Sequence, residues 1–464
     1  MVFSDTPFLY AFLPLTAIFC LIVPRRSLKN YVLLMFSLLF YSWGEPKLLV
    51  LMVGAALAAY LCGLCMVHFP QQKKVFLSIS VLLLLGNLTI FKYLNFLADN
   101  FSALTGASLS LPMITLPIGI SFYTFQILSY VIDLYRDRVG VQRNFLYFLL
   151  YVSFFPQLIA GPIVRYQTVE EEISSRQESW DDALYGLRRF ILGLAKKVLI
   201  ANNVARIAEL VYAAGDAAGT AAYWLAALCY TFQIYFDFSG YSDMAIGLGR
   251  MFGFHFLENF EYPYISCSVT EFWRRWHISL SSWFRDYVYI PLGGNRVSRK
   301  RWIFNIFVVW GLTGLWHGAQ WNFVLWGLYY AVLLLLEKLF LSRYLERLPK
   351  AAQWLYTMLF VVVGWVLFNL TDFTQLRHAL AVMFTPYTTD WLAVLACDTS
   401  IIIPVLILPF AILFSFPVLA KWKKHADDTP LTALLTDGVC LGLLALSIAF
   451  IISSSYNPFI YFRF

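Results

Sequence analysis

The chain has 464 residues, of which 60% are hydrophobic and only 13% are charged, against about 45–50% and about 25% in soluble proteins. Tryptophan, tyrosine and phenylalanine together make up 18% of the sequence. A soluble protein of this length could not bury so much apolar surface, so the composition excludes a water-soluble enzyme. The net charge of +7 does not indicate a nucleic-acid partner, because basic clusters between apolar segments are typical of cytoplasmic loops that face anionic lipid.

Apolar segments long enough, or nearly long enough, to span a membrane recur along the whole chain. They are Phe8–Val23, Tyr31–Trp43, Leu48–Val67, Val75–Phe91, Phe145–Ile163, Ala222–Phe238, Trp302–Trp316, Phe323–Leu336, Trp354–Leu370, Ile401–Leu419 and Leu431–Ser453. This pattern predicts an all-α polytopic membrane protein with about ten or eleven transmembrane helices. Because the sequence has no internal repeat and no low-complexity tract, we expect residues 1–464 to form a single membrane domain.

Basic clusters predict the orientation of these segments, since Lys and Arg accumulate in cytoplasmic loops. The clusters are Lys73/Lys74, the run from Arg296 to Arg301, the set Lys338/Arg343/Arg347/Lys350, and Lys421/Lys423/Lys424. The loop Thr371–Asp398 then lies outside and contains one basic residue, Arg377. Between these regions, residues 116–135 and 181–213 carry charges or Pro and Gly interruptions, which predicts re-entrant or interfacial structure around a water-filled cavity.

A first group of polar residues lies between Ser268 and Tyr287. Ser268 and Glu271 form a capping-box pattern, so a helix should begin there. Its apolar stripe contains Trp273, Trp276, Leu280, Trp283 or Phe284, and Tyr287, and its polar stripe contains Arg274, His277, Ser281 and Arg285. This pattern predicts one amphipathic helix at the bilayer interface. His277, on its polar face, is expected to meet either an acyl donor or water.

A second group follows the span Trp302–Trp316 and contains His317 and Asn322. A helix of about fifteen residues covers about 22 Å of a roughly 30 Å hydrocarbon core. His317 should therefore lie within the membrane, displaced toward the outer side, where an ionisable residue indicates a functional site. A histidine suits the role of general base. The alternative is a buried structural histidine that is bonded to a carbonyl.

A third group consists of Asp237, Ser239 and Asp243, on either side of a Ser-Gly pair near the end of an apolar segment. The carboxylates either orient a histidine, pair with Arg274 or Arg275, or form an ion-paired helix break. A triad of Ser239, His317 and Asp237 is disfavoured because the sequence contains no nucleophile-elbow motif. The cysteines lie mostly in apolar segments and do not predict a metal site or a disulfide framework.

These motifs carry a resemblance to a known family. They are Phe236–Ala245, Glu258–Phe260, Glu271–Leu280, Pro291–Arg296 and Leu315–Ala319. In this order they resemble the membrane-bound O-acyltransferase (MBOAT) superfamily, and more narrowly the membrane subunits of bacterial alginate and peptidoglycan O-acetyltransferases. The D-alanine transferase of teichoic acids is a more distant relative. The match is densest over residues 230–330.

The resemblance implies a ring of transmembrane helices around a central tunnel. The residue matching His317 is the catalytic histidine of the family, and His277 matches a second functional position nearer the cytoplasmic entrance. The candidate substrate-contacting and tunnel-lining residues are Asp237, Ser239, Trp273, Arg274, Arg275, Trp276, Trp316 and Asn322.

The resemblance also implies the reaction. Cytoplasmic acetyl-CoA is the expected donor, with no bound cofactor or metal. A separate periplasmic acetyltransferase of the esterase-like type would complete the transfer to a polysaccharide, and the chain itself would lie in the bacterial inner membrane as a multi-pass protein. The acceptor polymer stays open among alginate, peptidoglycan, cellulose and another exopolysaccharide, as does the existence of a covalent acetyl-protein.

Two other classes of function fit an intramembrane histidine. In a transporter or channel, His317, His277 and Asp237 would line a path for protons or metal ions. In a scaffold that only anchors a polysaccharide-secretion complex, His317 would be dispensable. The absence of a sequence repeat disfavours alternating access.

Overall fold

The computed structural model describes residues 1–44, 46–107, 111–112, 114–389, 401–418, 429–453 and 456–458. Within these ranges the chain forms helices and no β-strands, which confirms the all-α prediction. The helices are α1 (Leu13–Ile22), α2 (Arg26–Ser42), α3 (Leu49–His68), α4 (Lys73–Leu88), α5 (Leu94–Thr105), α6 (Ile120–Tyr135), α7 (Phe145–Ser153), α8 (Phe155–Leu158), α9 (Tyr166–Ser175), α10 (Trp180–Ala195), α11 (Asn202–Ala214), α12 (Thr220–Met251), α13 (Val269–Arg275), α14 (Ile278–Phe284), α15 (Arg299–His317), α16 (Trp321–Leu336), α17 (Ser342–Leu345), α18 (Lys350–Asn369), α19 (Phe373–Phe384), α20 (Ile402–Phe414) and α21 (Pro430–Ser453).

Among the described residues, three π-helical turns join helices end to end: Thr89–Tyr93 joins α4 to α5, Lys196–Ala201 joins α10 to α11, and Glu337–Leu341 joins α16 to α17. Two further π-helical turns of the described chain extend a single helix: Phe8–Phe12 precedes α1, and Arg285–Tyr289 follows α14. In the described ranges, the helices long and apolar enough to cross a membrane are Leu49–His68, Pro70–Thr105, Trp321–Leu345, Lys350–Asn369 and Leu431–Ser453. Two shorter apolar helices are Phe8–Ile22 and Ile402–Phe414. The protein is therefore embedded in the membrane, and the predicted total of spanning helices stays a prediction.

The chain divides into two compact units. Unit 1 comprises residues 1–190 and 244–257, and unit 2 comprises residues 191–243 and 258–464. The expectation of one membrane domain stays a prediction. All of the candidate site residues lie in unit 2.

Unit 1 has an aromatic core where its first turn meets α2 and α8. The ring of Phe12 lies 5.5 Å from that of Phe40 and 5.2 Å from that of Phe155. Near the other end of α2, buried Asn30 donates to the carbonyl oxygen of Ile173 over 2.8 Å. Burying these rings away from lipid and water fixes α2 against the segment that follows α7.

One predicted span in unit 1 is wrong. The segment Phe145–Ile163 is not a continuous helix, because α7 ends at Ser153 and Phe154 leaves the helical region with φ −55° and ψ 113°. Pro156 accounts for the break, since it cannot donate to the carbonyl of residue 152 and its ring clashes with that carbonyl in a straight helix.

Unit 2 is organised around the hairpin of α15 and α16. Glycines allow the two backbones to approach closely, because a Cβ atom on Gly314 would lie 2.3 Å from the carbonyl oxygen of Phe323. A Cβ atom on Gly327 would lie 2.2 Å from that of Trp310. Small residues at a helix interface are a common means of association in membranes. This packing places the end of α15, and therefore His317, against α16.

The predicted break at Ser239 and Gly240 is also wrong, because α12 continues through both residues. Gly240 instead permits a close contact, since a Cβ atom there would lie 2.7 Å from the carbonyl oxygen of Gly193. Some predictions lie outside the described residues: Leu419, the basic cluster Lys421/Lys423/Lys424, and the part of the outer loop beyond residue 389.

Candidate active site

The first part of the site is the short helix α13. Ser268 caps it as predicted, with its hydroxyl accepting the backbone N–H of Glu271 over 3.0 Å. Glu271 reaches back and accepts the backbone N–H of Cys267 over 2.9 Å. The backbone N–H groups of Glu271 and Cys267 are thereby satisfied, which favours a helix start at this point.

A second carboxylate, Glu337, also holds the start of α13. It is 1% exposed, and it accepts the backbone N–H groups of Val269 and Thr270 over 2.7 Å and 2.8 Å. The hydroxyl of Thr270 donates to the same carboxylate over 2.6 Å. A carboxylate at a helix N-terminus is favourable because it satisfies free N–H groups and complements the helix dipole.

The predicted single amphipathic helix is wrong, because the chain breaks between α13 and α14 at His277. This residue has φ 46° and ψ 55°, the left-handed region, which is costly for a side chain other than glycine. His277 is 1% exposed, so it does not lie on an exposed polar face. Arg274 and Arg285, predicted for the same face, are exposed.

Polar contacts on one side hold the His277 ring. Its Nδ1 lies 3.1 Å from Oδ1 of Asn259, and the backbone carbonyl of Asn259 accepts the N–H of Ile278 over 3.0 Å. The ring of Phe238 packs against it edge to face at 4.7 Å. The opposite nitrogen, Nε2, is buried and has no hydrogen-bond partner among the described residues.

His277 lies outside the candidate spanning helices, and burial lowers its pKa well below its usual range, with a further contribution in the same direction from His317. Burial disfavours the charged imidazolium. The ring is therefore in its neutral form, in which one nitrogen has a lone pair that can accept a hydrogen bond.

His317 ends α15 and is 5% exposed. Aromatic rings surround it edge to face, with ring centroids at 5.0 Å for Trp316, 5.1 Å for Trp326 and 5.2 Å for Phe368. The centroid of the His277 ring lies 6.5 Å away. His277 and His317, forty positions apart in the sequence, thus lie close together in the buried interior of unit 2.

An aromatic cluster forms the apolar surroundings of the two histidines. Its members are Trp273, Trp276, Trp326, Tyr330, Trp365 and Phe368. Trp276 lies 4.7 Å from Trp365, and Trp273 lies 4.8 Å from Tyr330, between ring centroids. Aromatic pairs at such distances are favourable beyond the apolar area that they bury. The cluster therefore gives the two buried histidines apolar and rigid surroundings.

The two aspartates of the third group, Asp237 and Asp243, pair with lysines and not with the predicted arginines. Asp237 forms an ion pair with Lys197 over 2.7 Å, and both side chains are 2% exposed. Asp243 pairs with Lys196 over 2.6 Å. Arg275 pairs with Glu271 over 3.0 Å, so the predicted pairing of the aspartates with Arg274 or Arg275 is wrong.

The remaining candidates differ in burial and in role. Ser239 is buried on α12, two residues after Asp237. The side chain of Asn322 donates to the carbonyl oxygen of Phe368 over 3.2 Å and so ties the start of α16 to the end of α18. Arg274 points outward. In the described ranges there is no group of three or more His, Cys, Asp or Glu residues that could hold a metal ion.

Sequence reasoning did not assign roles to Asn259, Lys197 or Glu337. Asn259 belongs to a motif that supports the resemblance, but a lone asparagine in a loop gives no signal of its partner. Lys197 and Glu337 are charges inside apolar segments, and this is a signal that could have identified both, because buried charges need partners.

Comparison with known proteins places this site in context. Residues 38–376 match the sequence profile of the family described as "MBOAT, membrane-bound O-acyltransferase family". The chain is 38% identical to a protein named probable alginate O-acetylase AlgI from Azotobacter vinelandii, with 100% of each chain covered. It is 34% identical to a peptidoglycan O-acetyltransferase from Helicobacter pylori, over 82% of this chain and 79% of that one. It is 33% identical to a teichoic acid D-alanyltransferase from Bacillus subtilis, over 51% of this chain and 62% of that one.

Proposed function

The chain belongs to the membrane-bound O-acyltransferase family and is a membrane-embedded acyltransferase, and from that premise we propose that it transfers acetyl groups from acetyl-CoA across the bacterial inner membrane for the O-acetylation of a polysaccharide. The names of the relatives support an acetyl group and a polysaccharide acceptor, because two of them are O-acetylating proteins of alginate and of peptidoglycan.

The observation that carries this proposal is the pair of buried histidines, His277 and His317, whose ring centroids are 6.5 Å apart. This separation brings both imidazoles to one place, so that a single reactant beside them could contact both. A neutral imidazole carries a lone pair that can accept a hydrogen bond or a proton from a reacting hydroxyl. The aromatic cluster beside them keeps bulk water away, which limits hydrolysis of a thioester.

In the proposed reaction His317 is the general base. It takes the proton from an acceptor hydroxyl as that oxygen attacks the thioester carbonyl. The new C–O bond forms, the C–S bond breaks, and the thiolate of coenzyme A leaves and receives the proton that His317 took. Loss of one general base costs about 10²–10⁴ in rate.

The donor and acceptor are proposed to occupy opposite sides of the membrane. The run Arg296–Arg301 contains four basic residues that are expensive to carry across a bilayer, which favours a cytoplasmic position at the start of α15. His317 lies at the other end of that helix. A periplasmic acetyltransferase of the esterase-like type is the proposed partner that passes the acetyl group to the polymer.

Thiol release from acetyl-CoA tests this proposal. Purified protein in lipid nanodiscs, supplied with the proposed partner, is expected to release coenzyme A, and His317→Ala should lower that rate by about 10²–10⁴. His378→Ala is the matched control, since it removes a histidine that faces Asp216 on a different part of unit 2. Equal rates for His317→Ala and wild type, at equal protein levels, would reject the proposal.

A further inference from the structure

We propose that Asn259 is a positioning residue that holds His277 in the tautomer with its proton on Nδ1, so that Nε2 presents a lone pair to the reactants. This inference rests on the proposed acyl transfer for the identity of the reactants. It concerns the proton on one nitrogen, which can be measured without any turnover.

The first step is the orientation of the Asn259 amide. Its Oδ1 lies 3.2 Å from the backbone nitrogen of Ser279, and a backbone N–H can only donate. The atom facing Ser279 must therefore be oxygen. The amide nitrogen points the other way and donates to the hydroxyl of Ser242 over 3.1 Å.

The second step is the proton on His277. Nδ1 lies 3.1 Å from an atom that can only accept, the Oδ1 of Asn259. In a neutral ring one nitrogen donates and the other accepts. A proton on Nδ1 makes this contact a hydrogen bond, whereas a proton on Nε2 would set two lone pairs against each other.

The hydroxyl of Ser279 offers the alternative, because it could donate to Nδ1 and favour the other tautomer. Its oxygen is 3.4 Å from Nδ1 but 2.9 Å from Oδ1 of Asn259. The shorter contact indicates that the hydroxyl donates to the amide oxygen. It reinforces Asn259 as an acceptor instead of competing with it.

The third step concerns Nε2. It is buried, and it forms no hydrogen bond among the described residues. A buried lone pair that accepts no hydrogen bond is unfavourable. A reactant hydroxyl could donate that hydrogen bond to Nε2. The hydrogen bond at Nδ1 determines that Nε2 is the unprotonated nitrogen.

Nuclear magnetic resonance of the full-length protein containing ¹⁵N-labelled histidine tests the inference. The signals of His277 are identified by their loss in His277→Gln. In the wild type we expect Nδ1 to be protonated and Nε2 unprotonated at neutral pH. A protonated Nε2 in the wild type would overturn the inference, whether or not the protein transfers acetyl groups.

Variants then separate positioning from mere folding. Asn259→Ala should mix the tautomers and lower the rate of acetyl transfer by about 10- to 100-fold, the usual effect of removing a partner that orients a histidine. Asn259→Asp keeps an acceptor at the same place, so it should retain the wild-type tautomer even if Asn259→Ala does not fold. A tautomer that is unchanged in Asn259→Ala, or lost in Asn259→Asp, would overturn the role.

Asn203→Ala is the matched control. Asn203 is another buried asparagine of unit 2, and its amide donates to the carbonyl oxygens of Val198 and Leu199 in its own helical segment. Its replacement should leave the His277 tautomer unchanged, and a changed tautomer would show that any loss of a buried amide disturbs the site. A wild-type protein with the expected tautomer but no acetyl transfer would refute the proposed function alone.

Discussion

At the scale of single residues, Asp237 and Lys197 form a buried ion pair within unit 2. The pair joins α12 to the π-helical turn Lys196–Ala201, and Lys197 also donates to the carbonyl oxygen of Pro458. A buried charge that loses its partner is strongly unfavourable, while removal of both charges is often tolerated. Asp237 therefore serves the stability of the site's surroundings.

Lys197→Met should lower the free energy of unfolding by about 3–5 kcal/mol, because it removes the buried cation that pairs with the Asp237 carboxylate. Adding Asp237→Asn to that variant should restore much of the loss, since no charge is then stranded. Thermal unfolding in detergent, followed by tryptophan fluorescence, measures both. A single variant as stable as the wild type, or a double variant no better than the single, would contradict this role.

The residue-scale predictions from the sequence succeeded where a short pattern fixes a local contact. The Ser268 and Glu271 capping box is such a case, because both partners lie within one turn of each other. The exposure of His277 could not be predicted, since its left-handed backbone and its contact with Asn259 depend on residues distant in the sequence. Burial of a histidine is decided by tertiary packing, which periodicity does not reveal.

At the scale of helices, the close approach of α15 and α16 positions His317. Gly314→Ala should lower stability by about 1–3 kcal/mol and reduce acetyl transfer, because the added Cβ atom would lie 2.3 Å from the carbonyl oxygen of Phe323. Gly311→Ala is the control one turn earlier, where no atom lies within 4 Å of the added Cβ. Thermal unfolding and thiol release measure the effects, and equal behaviour of the two variants would refute the packing argument.

The attachment of α13 to Glu337 gives a second prediction at this scale. Glu337→Gln should lower the free energy of unfolding by about 1–3 kcal/mol, because one of its two acceptor oxygens becomes a donor that faces N–H or O–H groups. Acetyl transfer should fall with it, since α13 leads into His277. Glu346→Gln, at an exposed glutamate, is the control. Unchanged thermal unfolding of Glu337→Gln would contradict the capping role.

Helix positions could be predicted from apolar runs, but helix ends and breaks only in part. The run Leu48–Val67 agrees with α3 (Leu49–His68) within one residue. The run Phe145–Ile163 is equally apolar yet breaks at Phe154, and the sequence signal of that break was Pro156. Gly240 also suggested a break, but α12 continues through it. A glycine in a helix can mark either a break or a close contact, and here it marks a close contact with Gly193.

At the scale of the whole molecule, acetyl transfer across the membrane requires that the chain crosses the bilayer an odd number of times between Ser298 and Thr374. Helices α15, α16 and α18 lie between them. The continuous helix Trp321–Leu345, which contains α16, and α18 itself are long and apolar enough to span. Single cysteines at these two exposed positions, in a protein without its native cysteines, should react with impermeant reagents from opposite faces. Labelling of both from the same face would refute the cross-membrane transfer.

Transfer of acetyl groups in sealed vesicles tests the central claim most directly. Inverted inner-membrane vesicles, which expose the cytoplasmic face and carry the polymer machinery inside, are given labelled acetyl-CoA on the outside. We predict labelled polysaccharide in the lumen, none from right-side-out vesicles, and a rate lower by about 10²–10⁴ in His317→Ala. Equal labelling of the polymer by His317→Ala, at equal protein levels, would contradict the account.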